Sequence, residues 1–277
     1  MWKKSISILL VLFLMAFVVV GCGGNQEESE PQKKGQQEEK QVAEVTEEEK
    51  HGGTFVARVK SDPPTLDPAH STDTTSSRLI RNIFDGLVQF NEDLEVVPAI
   101  AKSWEVSEDG KVWTFKLREN AKFHNGRKIK AEDVVYSFAR LLDPETKSER
   151  AWLFEDVVGA EEFQDGKADQ VEGLEAIDEY TVKITLARPF APFLSMLCME
   201  NASIVPKEVV KEKGDRFEQE PVGSGPFKFA SWKHDSQVIL EKNEDYYVEG
   251  RPYLDKLKFR VIKSNNSAFA EYEQGNI

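Results

Sequence analysis

Apolar positions divide the chain into three stretches. Residues 6–20 are apolar except for Ser7, residues 25–50 hold almost nothing to bury, and from about Gly53 onward apolar residues recur with strand or helix periods. "TFVARVK" alternates, so Phe55, Ala57 and Val59 are predicted to face inward from a strand. "SDPPTLDP" then blocks regular structure with three prolines. From Ser76, the spacing of Leu79, Ile80, Ile83, Phe84 and Leu87 predicts an amphipathic helix, with Gly86 near its end. "SWEVSEDGKVWTFKLR" predicts two extended runs about a turn at Glu108-Asp109-Gly110, with Trp113, Phe115 and Leu117 on one face. Asn125-Gly126 in "KFHNGRKI" marks a tight turn, because both residues tolerate positive φ. "KAEDVVYSFARLLDP" predicts a helix that buries Val134, Val135, Phe138, Leu141 and Leu142; Glu132 and Asp133 favour its positive end, and Pro144 follows it. "YTVKITLARP" and "LDKLKFRVIK" predict strands, and "PFKFASWKHDSQVILEKN" predicts a hairpin turning near His234 to Ser236. "NNSAFAEYEQGN" predicts a last helix capped by Asn or Ser.

The first stretch changes the picture from a globular domain to an exported one. Trp2, Lys3 and Lys4 precede a run shorter than the roughly 20 apolar residues that cross about 30 Å of hydrocarbon, so it reads as a signal segment rather than a membrane span. Its end, Val19-Val20-Gly21-Cys22, resembles the bacterial lipobox, although that motif usually has Leu and a small residue where Val19 and Val20 stand. The resemblance implies a diacylglycerol on the Cys22 sulfur and cleavage just before it. Two acyl chains anchor stably where one does not. An incidental cysteine near a cleavage site is the alternative. With Cys22 acylated, Cys198 has no disulfide partner and reads as a small buried apolar residue. Residues 25–50, rich in Glu, Gln and Lys, read as a disordered tether; roughly 30 such residues reach about 30 Å. A net charge of −13 argues against nucleic-acid partners.

Three longer stretches then carry a family resemblance. "PPTLDPAHSTD", the run from "NIFDGLVQFNEDLEVVPAIAKSW" through "FARLLDP", and "PVGSGPFKFASWKHDSQVILEKNEDYY" resemble the extracellular solute-binding lipoproteins of peptide and nickel ABC importers, in the family's order, from about residue 54 to the end. The resemblance implies an α/β, class II periplasmic-binding-protein-like fold of two lobes. On it, residues 1–22 are a lipoprotein signal and 23–52 a tether. Residues 53–83 and 200–262 fall in the first lobe, 84–199 in a subdomain inserted into it, and 263–277 at the start of a second lobe. Full-length members are nearly twice as long, so a C-terminally truncated fragment is expected.

The implied mechanism is binding without chemistry: a di- or oligopeptide lies between the lobes, pairs its backbone with strand edges, and is delivered to ABC permease subunits. The expected partners are that peptide, the permease and the bilayer at Cys22. The expected state is a monomer at a bacterial cell surface, Gram-positive, or in a periplasm, with no cofactor and no metal. By family position Ser71, Thr72, Asp73 and Thr74 face the ligand. Asp73 either pairs with an amine or guanidinium or simply caps a helix. Arg150, with Trp152 nearby, either grips a carboxylate or is a solvated surface arginine. Met199 and Asn201 lie where the subdomain chain returns past the ligand, Met199 with core packing as its other role. Gly223-Ser224-Gly225-Pro226 lacks the third glycine of a dinucleotide loop, since Lys228 stands there, and reads as a bend entering a strand at Phe227. Lys130 stands where relatives often have a capping Thr. Other ligands of the same fold are nickel, metal chelates and oligosaccharides, and a peptide-sensing receptor is a further use of it. A secreted hydrolase would need a nucleophile with a base, and the sequence has neither G-x-S-x-G nor H-E-x-x-H. Cys22→Ser is expected to release the protein from the membrane fraction or to leave the signal uncut; a variant still cleaved and still membrane-bound contradicts the lipobox reading.

Overall fold

The computed structural model describes residues 51–277; the signal segment, Cys22 and the tether lie outside the described residues. The chain runs through β1 (Thr54–Val59), α1 (Thr74–Ile83), a small hairpin of β2 (Val88–Phe90) and β3 (Val96–Pro98), then β4 (Ala101–Val106) and β5 (Val112–Leu117). Next come α2 (Ala131–Leu142), α3 (Ala160–Gln164), β6 (Leu174–Asp178), β7 (Thr181–Thr185), α4 (Phe193–Met196) and α5 (Lys207–Lys213). The sequence closes with β8 (Phe227–Lys233), β9 (Gln237–Lys242), β10 (Lys256–Val261) and α6 (Asn265–Glu273).

These strands make two four-stranded sheets. One has the order β1-β10-β9-β8, with β1 parallel to β10 and the other pairs antiparallel. The other, β4-β5-β7-β6, is antiparallel throughout. Each sheet buries one face. Trp113, Phe115 and Leu117 alternate inward from β5 and meet Val134, Phe138 and Leu141 of α2. Val238, Leu240, Leu257 and Phe259 face Leu79, Ile80 and Ile83 of α1. A period of two meeting a period of 3.6 is the pattern that the sequence shows in both places.

Several expectations need correction at their edges. Phe55 is not inward: it is 55% exposed, because β1 begins beyond the end of the core and only Val59 of that strand is buried. The first helix starts at Thr74, two residues before Ser76, since Asp73 caps it there; it stops at Ile83, so Leu87 enters the other core from an extended segment. Val135 is half-buried at the rim of its helix, and Cys198 is half-buried at the edge of the core, with burial pushing its thiol up to about 11. At α2 the Lys130 side chain makes no cap, but the Asp133 carboxylate accepts the Lys130 N–H at 2.9 Å. Arg127 in turn grips Asp133 at 2.7 and 2.9 Å and Glu208 at 2.7 Å, tying the helix start to α5.

The two cores meet at one knot of backbone. Gly225 N–H donates to Ile83 O at 2.9 Å, and a Cβ on Gly223 would lie 2.0 Å from that same oxygen, so only glycine fits. His124, beside the Asn125-Gly126 turn, clasps the knot from the other side. Its Nδ1 accepts the Gly223 N–H at 3.2 Å and its Nε2 donates to Gly225 O at 3.0 Å. Asp85, one residue past the helix cap, donates its backbone N–H to Ser224 Oγ at 3.3 Å, while its Oδ2 is buried without a hydrogen bond of ordinary geometry.

Burial acts on both titrating groups here. It lowers His124 from 6.5 to about 4, the Gly225 contact opposing it, and raises Asp85 from 3.8 to about 7 against the nearby Tyr247 and Tyr246 hydroxyls. The unfolded chain therefore binds more protons at His124 between about pH 4 and 6.5, and stability rises with pH there. At Asp85 the folded chain binds more between 3.8 and about 7, and stability falls. Each effect is on the order of 3 to 4 kcal/mol and they oppose. Urea unfolding of Asp85→Asn is expected to gain stability from pH 4 to 7, with the wild-type profile much flatter; equal slopes in the two proteins contradict the assignment.

Candidate functional site

The loop between β1 and α1 is held in place from several directions. Asp67 starts a short 3-10 turn, Pro68–His70, by accepting the Ala69 N–H at 3.0 Å. Both its oxygens are gripped by Arg140 near the end of α2, at 2.8 and 2.5 Å, with side chains only 4% and 12% exposed. Beyond the turn, Asn201 donates to Pro68 O at 2.6 Å and Ser71 O at 3.0 Å. Ser148 Oγ donates to Ala69 O at 2.6 Å, and His70 Nε2 donates to Thr146 O at 2.8 Å. Arg150 donates to Ser71 O at 3.3 Å and Thr72 O at 3.4 Å.

The structure thus brings Ser71, Thr72, Arg150 and Asn201 together by direct hydrogen bonds. Asp73 caps α1: its Oδ1 accepts the Thr75 and Ser76 N–H groups at 2.8 and 3.0 Å. Thr72 and Thr74 stand exposed beside it. Arg150 is neither gripping a carboxylate nor free, since its donors serve loop carbonyls. Trp152 lies on the next turn, Ala151–Phe154, and is 42% exposed. Met199 packs half-buried against the core, just before the turn Glu200–Ala202 that carries Asn201.

Three side-chain atoms of this loop region are buried without a hydrogen-bond partner: Ser71 Oγ, Asp73 Oδ2 and Asn201 Oδ1. Buried polar groups are nearly always satisfied, so these three unpartnered atoms make the loop the candidate site. They offer one hydroxyl, which donates or accepts, and two acceptors. Such a set suits amide N–H or ammonium donors. Among the described residues no group of three or more His, Cys, Asp or Glu is placed to hold a metal ion. The residues that sequence reasoning did not single out are Asp67, Arg140 and Ser148. "TLDP" displays the aspartate, but nothing local links it to an arginine 73 positions further on.

Comparison with known proteins agrees with this architecture. The model of the bacterial extracellular solute-binding proteins, family 5 middle domain, matches residues 95–277. Its structural neighbours are class II periplasmic peptide-binding proteins, and this chain has part of their fold. The chain belongs to the family 5 extracellular solute-binding proteins. It is 33% identical to the dipeptide-binding protein DppE of Bacillus subtilis over 79% of this chain and 41% of that protein. It superposes with TM-score 0.78 and 34% identity on the substrate-binding domain of an oligopeptide ABC transporter from Bacillus anthracis, over 81% of this chain and 44% of that one. The Haemophilus influenzae OppA solved with the peptide RPPGFSPFR gives 0.77 and 28%, over 81% and 45%. The chain spans less than half the length of these relatives.

Removing one partner of the Asp67–Arg140 pair strands a buried charge. Arg140→Ala is expected to destabilise the fold by about 3–5 kcal/mol, whereas Asp67→Leu with Arg140→Met should recover most of that yet speed amide exchange across residues 68–74. Unchanged exchange in the double variant contradicts a positioning role for the pair.

Proposed function

We propose that the chain is the ligand-capturing part of a substrate-binding lipoprotein of a bacterial ABC importer, and that its ligand is a di- or oligopeptide. The observation that carries this is the loop of Ser71 to Thr74, with its unpartnered Ser71 Oγ, Asp73 Oδ2 and Asn201 Oδ1 beside two exposed threonines. A peptide backbone supplies N–H and C=O groups in regular alternation, which is what such a polar edge lacks. The family membership and the peptide held by the Haemophilus influenzae relative support the same choice.

On this reading residues 53–83 and 200–262 are the first lobe, 84–199 its inserted subdomain, and 263–277 the start of a second lobe that closes over the ligand. Each sheet having its own core supports that division. Cys22 anchors the protein to the outer face of the membrane, and residues 25–50 let it reach both ligand and permease. Closure follows only if the peptide binds the closed form better than the open one. With one wall of the cleft, the chain binds peptides weakly. Calorimetric titration with tripeptides is expected to give a dissociation constant above about 1 mM, equivalent to no more than about 4 kcal/mol. Micromolar binding contradicts the need for a second wall, and hydrolysis of the peptide contradicts a binding role.

A further inference from the structure

The outer face of the β1-β10-β9-β8 sheet carries a like-charged pair that peptide capture leaves unused. Arg58 of β1 and Arg260 of β10 stand opposite each other in the parallel register. Val59, Leu257 and Phe259 turn to the core, so Arg58, Lys258 and Arg260 share the other face. Like charges directly opposite destabilise a strand pair. Here both guanidiniums are taken up by α6 and the crossing that leads to it. Arg58 Nε donates to Ile262 O at 2.8 Å, and its Nη2 donates to Lys263 O at 3.3 Å and Asn265 Oδ1 at 2.9 Å. Arg260 Nη1 donates to Glu271 Oε2 at 2.7 Å, in the last turn of the helix. Little else holds α6. The Ile262 N–H, donated to Val59 O at 2.9 Å, makes the last backbone bond to the sheet among the described residues. Ala268 is the one buried residue of the helix, while Phe269 and Tyr272 are 62% and 68% exposed. The Lys263–Asp235 pair, at 2.8 Å, is exposed on both sides. A helix of 9 residues is too short to be stable by itself in water.

We propose that Arg58 and Arg260 form a clasp that holds α6 on the sheet chiefly by charge, so that the helix leaves and returns as a unit while both cores stay folded. The two ends are held differently. At the N-terminal end Arg58 meets carbonyl and amide oxygens, and among the described residues no carboxylate pairs with it. The positive end of the helix opposes a guanidinium there, so this is the weaker grip. At the other end the Arg260 and Glu271 side chains are 30% and 31% exposed, open enough for salt to screen their attraction. Undocking returns two neighbouring cations to bare repulsion, which draws the helix back. A helix seated by apolar packing has no such dependence on salt. The chain bends at Ile262 to Ser264, between the last sheet bond and the Ser264 Oγ that caps the helix by accepting the Ser267 N–H at 3.3 Å. On the two-lobe reading, on which this consequence alone rests, the clasp sets the position from which the second lobe begins to close.

The test is amide hydrogen exchange of the isotope-labelled full chain, followed by nuclear magnetic resonance at about 10 mM and about 1 M sodium chloride, between which the screening length falls from about 30 to about 3 Å. Exchange across residues 268–274 is expected to rise about tenfold at the higher salt, with β5 and β10 unchanged. Glu271→Gln, which neutralises one side chain without altering its size, should give the fast rate at low salt and abolish the salt dependence. Arg260→Gln should do the same, and the double variant should exchange no faster than either single one, because the two changes break one contact. Arg58→Gln should speed Ser267 and Ala268 most. Three results overturn the clasp: residues 268–274 exchanging as slowly as β10, exchange that ignores both salt and Glu271→Gln, or additive effects of the two substitutions. No peptide is present, so each of these is distinct from a failure of peptide binding.

Discussion

The Asp67–Arg140 pair is the constraint on which the candidate site depends. It joins a loop that proline keeps out of regular structure to a helix packed on the other sheet. A buried ion pair contributes little net stability, because desolvation offsets most of the attraction. What it supplies is position. Arg140 has a planar fork that matches a carboxylate in one geometry, so the loop has one place to sit. The helix is itself fixed at its other end, where Arg127 joins Asp133 to Glu208. Loop placement is therefore referred to a rigid element rather than to its own flexible backbone.

From that anchor the site follows outward. The turn after Asp67 presents the Pro68, Ala69, Ser71 and Thr72 carbonyls, and Asn201, Ser148 and Arg150 take them up. Two distant segments, residues 148–150 and the turn that carries Asn201, thus hold one short loop, and the atoms left unpartnered there are side-chain atoms of that loop and of Asn201.

How much of this was legible in the sequence depended on whether the signal was local. Both core helices and all strands of strong alternation, such as Val112–Leu117 and Lys256–Val261, follow from periodicity, because one buried face imposes it. The short hairpin Val88–Phe90 with Val96–Pro98 and the strand Leu174–Asp178 did not stand out. Three to five residues cannot establish a period. Phe55 misled because alternation tells which face a residue takes but not where the core ends. At the site, family position singled out Ser71, Thr72, Arg150 and Asn201. It did not show that Arg150 and Asn201 act on loop carbonyls, and it missed Arg140. Those contacts join residues far apart in sequence, and no local pattern encodes them.

The central claim is that residues 71–74 receive the peptide. Amide hydrogen exchange of the full chain, with and without saturating tripeptide, tests it most directly. The account predicts slowed exchange across residues 71–76 and around Asn201, with the rest of both cores unchanged. Protection confined to any other face, with residues 71–76 unaltered, would contradict it.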